Sequence, residues 1–234
     1  MIVAAADALP ASGLVLFFVL GLRHGVEPDH VAAIDGMTLR ALDHRQPHAA
    51  WTGSLFALGH GAAIAAVALA VSLLAAHVTL PPLLVEIADW LPIVLLALLG
   101  AWNLRALLAP GHYRPSSVRM RLMPAGLRER SDVWSTIAIG LLFALVVDTV
   151  AHISAWSVFA THQGGGWWAA LVAGLLFSIG MLVASTASSQ LVYRLIGRAS
   201  SEAAGARLRR AIGWVVVALS FGVVAYAVVD RLAG

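Results

Sequence analysis

Hydrophobic positions in this chain come in long runs, not in the stripes of a surface helix or the alternation of a half-buried strand. Six runs of about 20 mostly apolar residues, the length that spans a ~30 Å hydrocarbon layer, fall at 12–35, 51–76, 84–108, 133–159, 167–193 and 212–230. The pattern predicts an all-α fold, a polytopic membrane helix bundle of about six transmembrane helices. The first run is interrupted by charges, so its place among the spans rests on the polar motif that it carries.

Composition strengthens the membrane reading. Of the 234 residues, 60% are hydrophobic and 12% charged, against about half and about a quarter in an average soluble domain. There is no cysteine, which excludes disulfides and thiolate metal sites. Imidazole, carboxylate, hydroxyl, thioether and backbone carbonyl remain as possible ligands. Met1 to Leu9 carries Asp7 and no basic residue; it lacks the charged segment of a cleavable signal peptide, and the first apolar run is expected to stay in the mature protein.

All 15 basic residues are arginine, and their positions predict an orientation, because basic residues concentrate in short cytoplasmic loops. Thirteen of the 15 lie in alternate connections: Arg40 and Arg45, Arg105 to Arg130, and Arg194 to Arg210. The intervening loops, His77 to Asp89 and Ala160 to Gly166, have none. Both termini and these two loops are therefore expected on the outer side of a plasma membrane, and the net charge of +3 calls for no nucleic acid. Trp51, Trp90, Trp134, Trp167, Trp168 and Trp214 fall near predicted helix ends, where an indole sits at headgroup level.

The Arg-, Pro- and Gly-containing stretch at 110–132 reads as a solvated basic linker between two three-helix halves, 1–109 and 133–234. Ser54-Leu-Phe-Ala-Leu-Gly-His60 resembles Leu175-Leu-Phe-Ser-Ile-Gly-Met181, and three helices per half would orient the copies oppositely. That suggests a 3+3 inverted repeat, an arrangement common in secondary transporters. Coincidence among apolar, Gly-rich helices is the alternative.

Ionisable groups inside a span cost at least ~2.5–3.5 kcal/mol each on insertion scales, so clusters of them require partners, water or a function. The first span concentrates them in Arg23-His-Gly-Val-Glu-Pro-Asp-His30, followed by Asp35. At 100° per residue His24, Glu27 and His30 follow one stripe, while Asp29 points away unless Pro28 kinks or unwinds the helix. Two imidazoles with carboxylates suit nickel, cobalt or zinc. The competing reading is an interhelical network of hydrogen bonds and salt bridges, with Arg23 pairing with Asp29. His60, between Gly59 and Gly61, is either a packing histidine or a further ligand. Asp148 and His152 share one face of the fourth span as an i,i+4 pair, with a self-contained Asp–His bond as the alternative. Ser185, Thr186, Ser188, Ser189 and Gln190 form a polar stripe in the fifth span, read as helix-packing bonds or as a hydrated wall of an ion path. His44, His48, His77, His112 and His162 read as loop surface.

His24-Gly-Val-Glu-Pro-Asp29-His30 has the His-x4-Asp-His form of the nickel/cobalt transporters, and Leu22 to Thr38 resembles that family over its whole signature. The family includes the urease-associated nickel-transporter-like proteins. Leu55 to His60 resembles its Gly-His block, Leu142 to Thr149 its Asp-Thr block and Leu176 to Met181 its Gly-Met block. The resemblance implies a carrier, not an enzyme, with no permanently bound cofactor and with Ni²⁺ or Co²⁺ as substrate. It implies that His24, Asp29, His30, His60 and Asp148 form or flank the metal path; Glu27, Asp35, Thr149, His152, Ser185 and Thr186 are additional candidates from the polar pattern of the spans. The chain departs from the family where His152 stands in place of a glutamate and Ser185 and Ser188 in place of acids, and it has six predicted spans where the permeases have eight.

Without a Gly-x4-Gly-Lys-Ser/Thr loop, or any lysine, no ATP use is expected. An exporter of the same fold is the rival within transport. A haem or di-iron oxidoreductase is the rival from another class, but the Glu-x-x-His pattern of di-iron helices occurs once, at Glu27 to His30. An intramembrane serine hydrolase ranks last for want of a Gly-x-Ser-x-Gly signature.

Overall fold

A computed structural model describes residues 11–74, 82–110, 113, 115, 117–145, 166–199 and 201–233. Nine α-helices and one 3-10 turn occupy the described residues: α1 (Ala11–Gly25), α2 (Pro28–Asp43), the turn Ala49–Trp51, α3 (Thr52–Leu74), α4 (Pro82–Leu108), α5 (Val118–Leu122), α6 (Ala125–Arg128), α7 (Val133–Phe143), α8 (Gly166–Gly197) and α9 (Glu202–Ala233). No strand occurs among them. Four helices, α3, α4, α8 and α9, are long and apolar enough to cross a membrane, and α1 and α7 are shorter apolar helices. The continuation of the fourth predicted span beyond 145 lies outside the described residues.

The first predicted span, 12–35, is not one helix. α1 ends at Gly25, and Glu27 is extended (φ −60°, ψ 143°) before Pro28 opens α2. Proline crowds the residue before it out of the helical region, and its missing N–H is harmless at the first position of a new helix. The break is therefore encoded by one residue.

Packing places α3 and α8 at the centre. About half of each of these spans is buried, against 22% for α4 and α9, which pair on the outside through Leu99 and Val216. Leu58, Leu73, Val94, Leu98, Val183 and Leu219 remain exposed, as side chains facing lipid should be. Close helix approach rests on glycine. A Cβ on Gly59 would stand 1.9 Å from the Ile137 carbonyl oxygen of α7, and one on Gly140 of α7 2.0 Å from that of Phe56. The α1–α8 pair repeats the device, with Gly21 against the Phe177 carbonyl oxygen and Gly180 against that of Phe18. Backbones that meet at glycine gain packing and weak Cα–H···O contacts, which is how helices associate in lipid.

The connection between α4 and α7 is partly buried. Met120 and Met123 are buried in the same core as Phe56, Phe143 and Met181, and Tyr113 donates its hydroxyl to Asn103 Oδ1 at 2.8 Å while packing on Gly213 of α9. The Arg40 guanidinium donates to the Arg128 carbonyl. Spaced apolar side chains among the arginines give this stretch something to bury.

Candidate metal centre

Three elements meet at one point below the break. His24 comes from the last turn of α1, His30 from the first turn of α2 and His60 from the middle of α3; they are 3%, 0% and 0% exposed. His24 Nε2 lies 3.3 Å from His60 Nε2. Ring centroids are 4.2 Å apart for His24 and His30, 5.4 Å for His24 and His60 and 4.9 Å for His30 and His60. One ring nitrogen from each falls within 4.8 Å of the others, and Glu27, Asp29 and His30 form an overlapping trio by the same measure. A tetrahedral ion with metal–nitrogen bonds of 2.0–2.1 Å spaces its ligands by roughly 3.3–3.4 Å, close to the His24–His60 separation. Small ring movements would complete the set.

Two carboxylates orient the rings. Glu27 Oε2 is 3.1 Å from His24 Nδ1, and Asp29 Oδ1 is 3.1 Å from His30 Nδ1 while also accepting the His30 backbone N–H at 2.9 Å. Nδ1–H donating to a carboxylate places the lone pair on Nε2, the arrangement by which metal-binding histidines are held in one tautomer. In that tautomer His24 Nε2 accepts from His60 Nε2–H. Phe56, Phe143 and Phe177 close the walls, the His60 ring stacking on Phe56 at 5.6 Å and Phe143 and Phe177 meeting His30 and His24 at 5.1 and 5.2 Å. The apolar wall strengthens every electrostatic interaction inside it.

Other expected residues lie elsewhere. Asp35, 2% exposed, accepts from Ser188 Oγ at 3.0 Å. Thr186 bonds Ser54 at 2.8 Å and the Leu182 carbonyl at 2.6 Å, and Ser189 donates to the Ala50 carbonyl at 3.1 Å, so these hydroxyls join helices. Ser185 is buried, and its Oγ has no hydrogen-bond partner among the described residues. His44 and His48 bind Ser131 at 2.8 Å each, ahead of α7, whose N-terminus Asp132 caps through Ser135 N–H at 3.0 Å. Asp148, Thr149, His152 and the loop histidines His77, His112 and His162 lie outside the described residues.

The partner of Asp29 is not Arg23, which is exposed. Arg119 of α5 supplies it, with Nη2 3.1 Å from Asp29 Oδ2. Sequence reasoning missed this residue, although a buried carboxylate in a span requires a cation; nothing local identifies which of 15 arginines provides it.

A polytopic helical membrane protein with a buried cluster of three imidazoles is the class that fold and site define. Residues 12–233 match NicO, described as high-affinity nickel-transport protein, and the chain belongs to that family. It is 32% identical over 220 residues to the cobalt transport protein NhlF of Rhodococcus rhodochrous, covering 82% of this chain and 62% of that protein. It is 30% identical over 200 residues to the nickel transporter NixA of Staphylococcus aureus, covering 74% and 58%. Identity to the nickel transporter NicT of Mycobacterium tuberculosis is 28% over 215 residues, covering 79% and 57%. The matched regions thus span 57–62% of the length of these three relatives. The family and these relatives are transporters, not enzymes. No solved structure matches the chain.

Proposed function

We propose that this chain carries Ni²⁺ or Co²⁺ across the plasma membrane, binding the dehydrated ion through His24, His30 and His60 while Glu27 and Asp29 offset its charge. The convergence of three buried imidazoles from α1, α2 and α3 carries the reading. A structural network alone would not need three aromatic bases within 4.8 Å, each expensive to keep out of water. Imidazole-rich sites without thiolate suit nickel, cobalt and zinc, and not magnesium or calcium. The names of the relatives narrow this to nickel and cobalt. Asp148 belongs to the proposed path through the resemblance of its Asp-Thr block.

The same reading divides the chain into halves 1–109 and 133–234 related as an inverted repeat, with the arginine-rich connections and the 110–132 segment on the cytoplasmic side. The reciprocal glycine contacts support it. Phe56 and Gly59 engage Ile137 and Gly140, as Phe177 and Gly180 engage Phe18 and Gly21. Each pair joins one half to the other.

Flux of Ni²⁺, Co²⁺, Zn²⁺ and Mn²⁺ into proteoliposomes tests the function. Wild type is expected to move nickel or cobalt, and His24→Ala and Asp29→Ala to insert normally and lose flux. Flux retained in both removes the α1–α2 break from the mechanism.

A further inference from the structure

The short helix α5 brings an arginine into the wall of the metal centre. Arg119 is 6% exposed, and its Cζ lies 4.9 Å from the centroid of the Phe143 ring. That same ring packs 5.1 Å from His30 and 6.2 Å from His60. Asp29 is shared, Oδ1 turned to His30 and Oδ2 to Arg119. A guanidinium keeps its proton in a protein, so it is a permanent positive charge one ring away from the three imidazoles. A dication among those imidazoles would repel it in surroundings that screen poorly. The carboxylate that neutralises the arginine is also one of the two that would balance the ion. The two cations therefore compete for one charge.

The cavities around Arg119 show what its departure would do. Glu27, Asp29, Ser117 and Arg119 line a cavity of about 30 Å³, room for a single water and too small for a hydrated cation. Ser117 also lines a second cavity of about 260 Å³, with Gly36, Arg40, Pro115 and Arg121. The Ser117 hydroxyl is fully buried without a hydrogen-bond partner among the described residues, so little polar bonding holds it in place. Ser117 stands in the wall common to both, so moving it with Arg119 would join the space beside Glu27 and Asp29 to the larger one.

We propose that Arg119 is a gating residue: it holds Asp29 as an internal stand-in for the transported cation, and it withdraws with α5 when a divalent ion enters the imidazole cluster. The gate rests on the reading of that cluster as the ion site. It makes release toward the connection side depend on occupancy, which prevents a standing leak of small cations through Asp29.

Hydrogen exchange on the full chain in lipid nanodiscs tests the gate, with Ni²⁺ binding measured by calorimetry on the same sample. Peptides covering 115–123 are expected to exchange at least about fivefold faster with saturating Ni²⁺ than with Mg²⁺ or no metal, the lower end of a typical coupling between sites. Arg119→Gln is expected to show the fast exchange without metal and to bind Ni²⁺ at least about fivefold more tightly, while Arg119→Lys stays near wild type. Saturating Ni²⁺ that leaves the segment unchanged or slower, or Arg119→Gln with unchanged or weaker affinity, overturns the gate and leaves the imidazole site standing. A wild type that binds no Ni²⁺ overturns both. The wild-type exchange measurement decides the matter even if the Gln variant does not fold.

Discussion

His24 and His30 each turn Nδ1 toward a carboxylate on their own segment, so in the proposed site these carboxylates would set which nitrogen is left for the ion. This gives Glu27 a role separable from ligation. Removing an orienting partner typically lowers metal affinity 10–100-fold, and Glu27→Gln, which keeps the shape but not the charge, is expected to weaken Ni²⁺ binding by about that factor with the protein still inserted. Calorimetry checks it, and an unchanged Kd would make Glu27 a bystander. Protons compete for the same lone pairs. Because only neutral imidazole ligates, flux is expected to fall in acid. Flux that stays flat from neutral pH to about 5 counts against imidazole ligation. At this scale the sequence was informative where function and local geometry coincide. The stripe of His24, Glu27 and His30 was visible from spacing, and Pro28 signalled the break that brings Asp29 round. Arg119 was not visible, because its partner Asp29 is far away along the chain and its own neighbourhood, Val118-Arg-Met-Arg-Leu122, looks like any basic loop.

Among elements, the glycines decide whether the imidazoles can meet. His60 follows Gly59, and α3 reaches α7 only because Gly59 and Gly140 let carbonyl oxygens into the space a side chain would fill. Gly140→Ala would put a methyl 2.0 Å from the Phe56 carbonyl oxygen and 3.1 Å from the His60 amide nitrogen, so α7 must back away and take Phe143 with it. Overpacking of this kind costs typically about 1–3 kcal/mol. The variant is expected to melt several degrees lower and to transport more slowly than wild type. Gly126→Ala, with nothing within 4 Å of the added methyl, is the control that should do neither. Hydropathy located the long apolar helices because burial in lipid needs only length and polarity. It did not reveal the break inside the first span or the docking of Met120 and Met123 into the core, since neither alters average hydropathy. The repeat of Phe-x2-Gly in α3 and α8 was legible as a pattern, but its meaning as reciprocal contact with α7 and α1 required the packing.

Across the whole molecule, the two halves contribute unequally to the described site. All three imidazoles come from α1, α2 and α3, while α7 and α8 supply the rings of Phe143 and Phe177 and the core residue Met181. In the proposed repeat His60 corresponds to Met181 and His24 to Phe143, so one half places imidazoles where the other places apolar side chains. An ion held this way would tie together α1, α2 and α3, the first two of which are joined by the broken turn at Val26 and Glu27. Binding to the folded state alone must stabilise it, by about 2.7 kcal/mol when free ion is a hundredfold above Kd. The melting temperature in nanodiscs is therefore expected to rise by several degrees with Ni²⁺ or Co²⁺ at that excess and not with Mg²⁺. His60→Ala removes the ligand from α3 and should abolish the rise while leaving the metal-free melting temperature the smaller casualty, because Phe56 and Phe143 still pack on each other at 5.3 Å. A rise of equal size in His60→Ala would mean that the ion is held elsewhere, in the acidic trio of Glu27, Asp29 and His30 or beyond it, and that the imidazole from α3 serves packing alone.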